Sequence, residues 1–221
     1  LPGYTTENIP AGATFSKFLP PANTGMGLLE AVPDATLLAM ADPNDADGDG
    51  ISGVVNWVDI KEYVKPAEGS IYRGGKCTGR FGKKAGAHDL LQQTAGAYNQ
   101  DMGITSVYEP KEVYTGQNIA PEVSEQTILD VVFYLRTLKA PVQRNVSDVN
   151  VMKGRELFLN AGCGKCHTPE LTTGYSPIAP LSNVKFYPYT DMLLHDMGPG
   201  LDDGYTEGTA TTAEWRTPAL W

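Results

Sequence analysis

Two cysteines and a histidine stand within five residues, Cys163-Gly164-Lys165-Cys166-His167. Two thiols three positions apart can each add to one vinyl group on the same edge of a porphyrin, and the next residue can then present its imidazole to the iron from one face. The pattern Cys-x-x-Cys-His is that of covalent c-type haem attachment. Zinc is the competing chemistry, but it wants four ligands, usually from a second pair at matching spacing. The other donors here, Cys77, His88 and His195, are scattered singly. The motif therefore points to haem c, with Cys163 and Cys166 holding the porphyrin and His167 the iron. The opposite axial position calls for His, Met or Tyr. The segment from Tyr189 to Gly198 supplies two candidates, His195 and Met197, either of which could instead line the pocket or bond a propionate. Met192, in the same segment, reads as a core side chain.

A second cluster is built from hard oxygen donors. Asp45-Ala46-Asp47-Gly48-Asp49-Gly50-Ile51 matches the start of a calcium loop, with Asp at positions 1, 3 and 5, Gly at 6 and a backbone carbonyl at 7. Asp45, Asp47, Asp49, the Ile51 carbonyl and Asn56 are the candidate ligands. Position 12 is Asn56 rather than the bidentate Glu of a signalling site, which lowers the expected affinity. A solvated acidic turn is the plainer reading of the same residues. Cys77 reads as a buried, unreactive thiol, His88 as a helix-surface residue, and Trp215 and Trp221 as packing residues.

The elements that must position these groups follow from apolar spacing. Residues 1–30 read as Pro- and Gly-rich coil, 33–41 as a short helix, 54–58 as a short strand and 65–86 as Gly- and Lys-rich loop. Helices are expected over 88–99, with Leu91, Ala95 and Tyr98 on one face, and over 121–139, with Ile128, Val132, Leu135 and Leu138 buried and Pro141 as its stop. A third begins near Ser147, carries Val151, Leu157 and Phe158, and runs into the Cys motif. Beyond it the chain reads as loop, with one helical turn at 190–195. The expectation is a mainly α, loop-rich protein: a calcium-loop and helical region over 1–141, then a cytochrome c-like haem domain over 142–221.

The chain has 221 residues, enough for one large or two small domains, with 41% hydrophobic and 19% charged residues. Its net charge of -9 repels phosphate and argues against a nucleic-acid partner. No apolar run has the length of a membrane span, since Ile128 to Leu138 is broken by Asp130 and Arg136. The opening Leu-Pro-Gly-Tyr has neither the charged nor the apolar region of a signal peptide, as expected of a processed chain or a fragment. Three cysteines cannot all pair within one chain.

Several segments taken together resemble one family. They are Gly27-Leu28-Leu29-Glu30-Ala31, Ala41 to Gly53, Asn56-Trp57, Arg80-Phe81-Gly82, Ala95-Gly96-Ala97, Asp101 to Thr105, Cys163 to Pro169, Tyr189 to Leu201 and Glu214 to Trp221. They are similar to the di-haem oxidoreductase ("thiol oxidoreductase") family, relatives of bacterial di-haem cytochrome c peroxidases. The resemblance implies a periplasmic or otherwise extracytoplasmic enzyme in which one haem takes up electrons and the other activates peroxide. Family members carry an earlier Cys-x-x-Cys-His and continue past the segment matching Trp221. The chain thus resembles a middle-to-late portion of a two-haem protein, or a one-haem relative, and Lys83 stands where relatives often have Trp. The function expected is that of a c-type haem redox protein that transfers electrons, part of a peroxidase-like oxidoreductase. Its expected partner is a redox protein or a small oxidant such as peroxide. The alternative is a calcium- or zinc-stabilised binding module without redox chemistry.

Overall fold

Local capping explains where the longer helices begin. The computed structural model describes residues 11–13 and 15–221; the rest of the coil expected over 1–30 lies outside the described residues. Two short helices come first, α1 (Met26–Glu30) and α2 (Asp34–Met40). Helix α3 (Leu90–Gln100) starts where the Asp89 carboxylate accepts the amide of Gln92. Helix α4 (Glu125–Thr137) starts at Ser124, whose hydroxyl accepts the Thr127 amide at 3.1 Å. Glu125 in its first turn and Arg136 in its last complement the helix dipole. Helix α5 (Val149–Asn160) is capped by Asp148, one residue beyond the expected Ser147, through the amides of Asn150 and Val151.

The strands are short and antiparallel. β1 (Trp57–Val58), β2 (Tyr72–Arg73) and β3 (Lys76–Thr78) form a sheet in the order β1-β3-β2. β4 (Leu171–Thr172) pairs with β5 (Lys185–Phe186), and β6 (Leu194–Asp196) with β7 (Glu214–Arg216). The expectation of a mainly α protein is therefore corrected. Among the described residues five α-helices, the longest of 13 residues, are joined by three antiparallel sheets and long irregular segments. The loop expected over 65–86 contains β2 and β3, and the helical turn expected at 190–195 leads instead into β6. Met192 adopts φ 63 there, a left-handed backbone that ends any helix.

The core is built from α1 to α4 together with the later segments. Met26, Leu29, Leu37, Leu90, Ile128 and Val132 cluster with Leu171, Phe186, Met192 and Leu193. Ile128 and Val132 are the buried pair of the predicted α4 stripe, with Leu135 half-buried beside them. A buried ionic network fixes α2 against β3: Asp34 accepts from the Thr78 hydroxyl at 2.6 Å, from the Ile71 amide at 2.7 Å and from the Arg80 guanidinium. Arg80 also donates to the Val32 carbonyl at 2.6 Å. His88, expected on a helix surface, is buried just ahead of α3, because its Nδ1 reaches the Thr78 carbonyl at 2.7 Å. Cys77 is fully buried in β3, and burial pushes its thiol pKa up.

Candidate haem site

Helix α5 delivers the Cys motif. It ends at Ala161, and Gly162 with φ 82 lets the chain turn directly into a 3-10 turn, Cys163–Lys165. Cys163 is exposed and Cys166 half-buried, and both thiols are free. His167 closes the turn by donating its amide to the Cys163 carbonyl at 2.9 Å.

The segment 189–191 clamps this turn from the other side. The Thr190 amide donates to the Thr168 carbonyl, and the Asp191 amide to the Cys166 carbonyl. Tyr189 has φ 52, uncommon for a bulky side chain. Its carbonyl lies 2.8 Å from His167 Nδ1. A carbonyl only accepts, so Nδ1 donates to it, and in the neutral imidazole Nε2 then keeps its lone pair. A metal-binding histidine is oriented by this kind of outer contact. Phe158 of α5 adds edge-on packing against the rings of His167 and Tyr189, at centroid distances of 6.4 and 5.6 Å.

Phe158 and Tyr189 also form one wall of a cleft of about 1460 Å³ between α5, residues 138–146 and the chain around Phe186 and Trp221. That exceeds the roughly 300–1,000 Å³ of an ordinary small-molecule pocket. No residue of α5 is buried, and Val149, Met152, Leu157 and Leu159 are exposed. Among the described residues Arg136, Lys139, Arg144, Arg155 and Lys185 line the cleft with one acidic residue, Glu170, which pairs with Lys185. The sign suits an anionic occupant, on a chain whose net charge is -9.

The structure also places the two candidates for the second axial position. His195, in β6, is buried at 7% exposure. Its Nε2 lies 2.8 Å from Asp191 Oδ2 and its Nδ1 3.6 Å from Cys166 Sγ. Both ring nitrogens are engaged, so the structure brings His195 to the sulfur of Cys166. Burial lowers its pKa, but the Asp191 carboxylate together with the Ser52 main chain overrides this, and the net shift is upward. Gly53 lies against the ring, and a Cβ there would come within 3.1 Å of Cε1. Met197 follows β6 with its side chain 51% exposed and its amide on the Ala213 carbonyl.

The acidic loop lies beside the motif. Its base is closed by paired backbone bonds between Asp42 and Gly53. Carboxylate oxygens of Asp42, Asp45 and Asp47 approach within 4.8 Å of one another. Asp49 is turned toward Lys165 of the Cys motif, with 2.9 Å between Nζ and Oδ2. That contact holds the Asp49 carboxyl below its ordinary pKa. The Asp49 carboxylate also accepts the Ile51 amide. Asn56 is not part of this cluster. Its amide donates to the carbonyls of Lys84 and Glu207 and accepts from Thr209, all in the interior. Sequence reasoning did not single out Asp42, Lys165, Asp191 or the Tyr189 carbonyl. The four-residue interval from Asp191 to His195 was a signal for that pair, although the expected helical turn is not what joins them.

Two free thiols, an imidazole whose Nε2 can present a lone pair and the exposed apolar side chains of α5 form a set that fits haem. The class that this set suggests, an oxidoreductase working with haem, is also the class that comparison with protein families returns. The chain belongs to the di-haem oxidoreductase family: the model described as "Di-haem oxidoreductase, putative peroxidase" matches residues 20–221. Comparisons with curated proteins and with solved structures returned no match.

Proposed function

We propose that this chain carries a c-type haem bound through thioethers at Cys163 and Cys166, with His167 as an axial ligand, and that it transfers electrons within a peroxidase-like di-haem oxidoreductase. The observation that carries the reading is the Cys-x-x-Cys-His turn whose His167 Nδ1 is held by the Tyr189 carbonyl at 2.8 Å. The haem supplies one-electron chemistry between ferric and ferrous iron. The protein supplies the rest. Cys163 and Cys166 fix the porphyrin edge, and the Tyr189 carbonyl selects the His167 tautomer and raises the basicity of Nε2. Phe158 and Tyr189 pack about the imidazole and limit the approach of water.

The oxidoreductase class rests on the family. A basic cleft on an acidic protein suits electron exchange with a redox protein that presents acidic groups, while a small oxidant such as peroxide is the partner that the family description suggests. Calcium bound by Asp42, Asp45 and Asp47 would brace the loop, whose Asp49 is tied to the motif by Lys165. The proposed location is periplasmic or otherwise extracytoplasmic. Among the described residues no helix is long and apolar enough to cross a membrane.

The test is intact mass and a reduced-minus-oxidised spectrum of the chain matured in a host that attaches haem. One haem mass per chain, a c-type haemochrome, and its loss in Cys163→Ala/Cys166→Ala are expected. Natively matured protein with both thiols unmodified refutes the assignment. A high-spin iron that binds cyanide indicates an open peroxidatic site, and a six-coordinate low-spin iron indicates an electron carrier.

A further inference from the structure

Cys166, His195 and Asp191 form a relay of three groups in hydrogen-bond sequence. Sγ of Cys166 lies 3.6 Å from Nδ1 of His195, and Nε2 of His195 lies 2.8 Å from Oδ2 of Asp191. The imidazole is 7% exposed and the carboxylate residue 2%. A carboxylate accepts and does not donate, so in the neutral imidazole Nε2 carries the hydrogen and the Nδ1 lone pair faces the thiol. Each member is held in place. The second oxygen of Asp191 accepts the Leu193 amide at 3.0 Å, and the Asp191 amide binds the Cys166 carbonyl at 3.1 Å. The strand carrying His195 is pinned to Val54 through Leu194. Cys163, exposed at the start of the turn, has no such partner among the described residues.

We propose that the Asp191–His195 pair makes the Cys166 thioether: His195 holds the thiol and carries its proton while the sulfur adds to the porphyrin vinyl group, and Asp191 positions His195. The proposal rests on the covalent-haem reading above. In the step, the S–H bond breaks and an S–C bond forms to the vinyl carbon next to the ring, with the electron pair coming from sulfur. The vinyl double bond becomes single, and the proton taken up at Nδ1 is delivered to the terminal vinyl carbon. The addition is redox-neutral and needs no other reactant. A positioned general base contributes about 10²–10⁴-fold to such a proton transfer. After attachment Nδ1 faces a thioether that no longer has a hydrogen to give, so His195 is spent on maturation rather than on turnover.

The experiment compares the full chain with its His195→Gln and His195→Leu variants, each matured in a host that attaches haem, by peptide mapping of the two sulfurs. The parent is expected to carry haem on both. Both variants are expected to hold it through Cys163 alone, with singly attached chains in about tenfold or greater excess, and to show the red-shifted pyridine haemochrome of one unreacted vinyl. A second arm incubates the Cys163→Ala chain with ferrous haem in the absence of oxygen; adding His195→Gln slows modification at Cys166 about 100-fold or more. Variants attached at both sulfurs like the parent overturn the proposal. So do variants that lose both attachments together, since His195 would then merely support the fold. A parent with neither sulfur modified fails the covalent-haem reading itself, a result distinct from the other two.

Discussion

Replacing Asp34 by Asn isolates the ionic part of the buried network between α2 and β3. The amide keeps nearly the same volume and one carbonyl oxygen for the Thr78 hydroxyl or the Ile71 amide, but it removes the charge that faces Arg80. The side chains of Asp34 and Arg80 are 1% and 6% exposed, so solvent does little to screen the loss. Removing one partner of a buried pair leaves an uncompensated charge and costs about 3–5 kcal/mol. Against a total stability of about 5–15 kcal/mol this is a large fraction. For a chain of this length it corresponds to a fall in Tm of about 6–20 °C. The effect reaches toward the haem side, because the Ala31 carbonyl just ahead of this network accepts the Gly174 amide beyond β4. Chemical denaturation followed by circular dichroism, on parent and variant matured identically, measures it. A loss below about 1 kcal/mol would refute the reasoning and mean that the Val32 and Leu29 carbonyls alone satisfy the guanidinium.

Two further outcomes follow from charge and metal binding. Burial raises the Glu207 carboxyl above its ordinary value, with Lys84 opposing weakly. The folded state thus favours the protonated form, and the stability this gives is present below the unfolded value of 4.5 and lost as pH rises through the folded one. Glu207→Gln should accordingly raise Tm at pH 7 and leave it unchanged near pH 3; a variant equally or less stable at pH 7 contradicts this. If the acidic loop holds calcium at the roughly 10⁻⁴–10⁻³ M affinity of weak sites, 10 mM calcium adds about 1.4–2.7 kcal/mol. Tm should then rise by about 3–11 °C, with the rise abolished in Asp47→Asn. Identical melting in calcium and in chelator counts against the site.

What was legible in the sequence had either a long period or a fixed spacing. Helix α4 shows itself through Ile128 and Val132 four residues apart, and the Cys motif through its own spacing. The sheets were not legible, because β2 and β3 span two and three residues, too few for alternation to register. Asn56 fell on position 12 of a linear calcium pattern, yet the chain departs from that pattern after Ile51 and spends the amide on Lys84, Glu207 and Thr209. His88 was misplaced because its partner, the Thr78 carbonyl, lies ten residues away across a turn. The Tyr189 carbonyl is a main-chain atom, and no side-chain pattern announces it.

Helix α5 has no buried residue, and that has a bearing on the life of the molecule in a cell. An isolated 12-residue helix is marginal in water. In the proposed assembly the porphyrin is the apolar ground on which it rests. A chain that has not yet received its pigment offers an easily opened stretch around 149–160 to any peptidase nearby. Survival would then become a test of completion, since only a chain whose porphyrin covers that stretch keeps it closed.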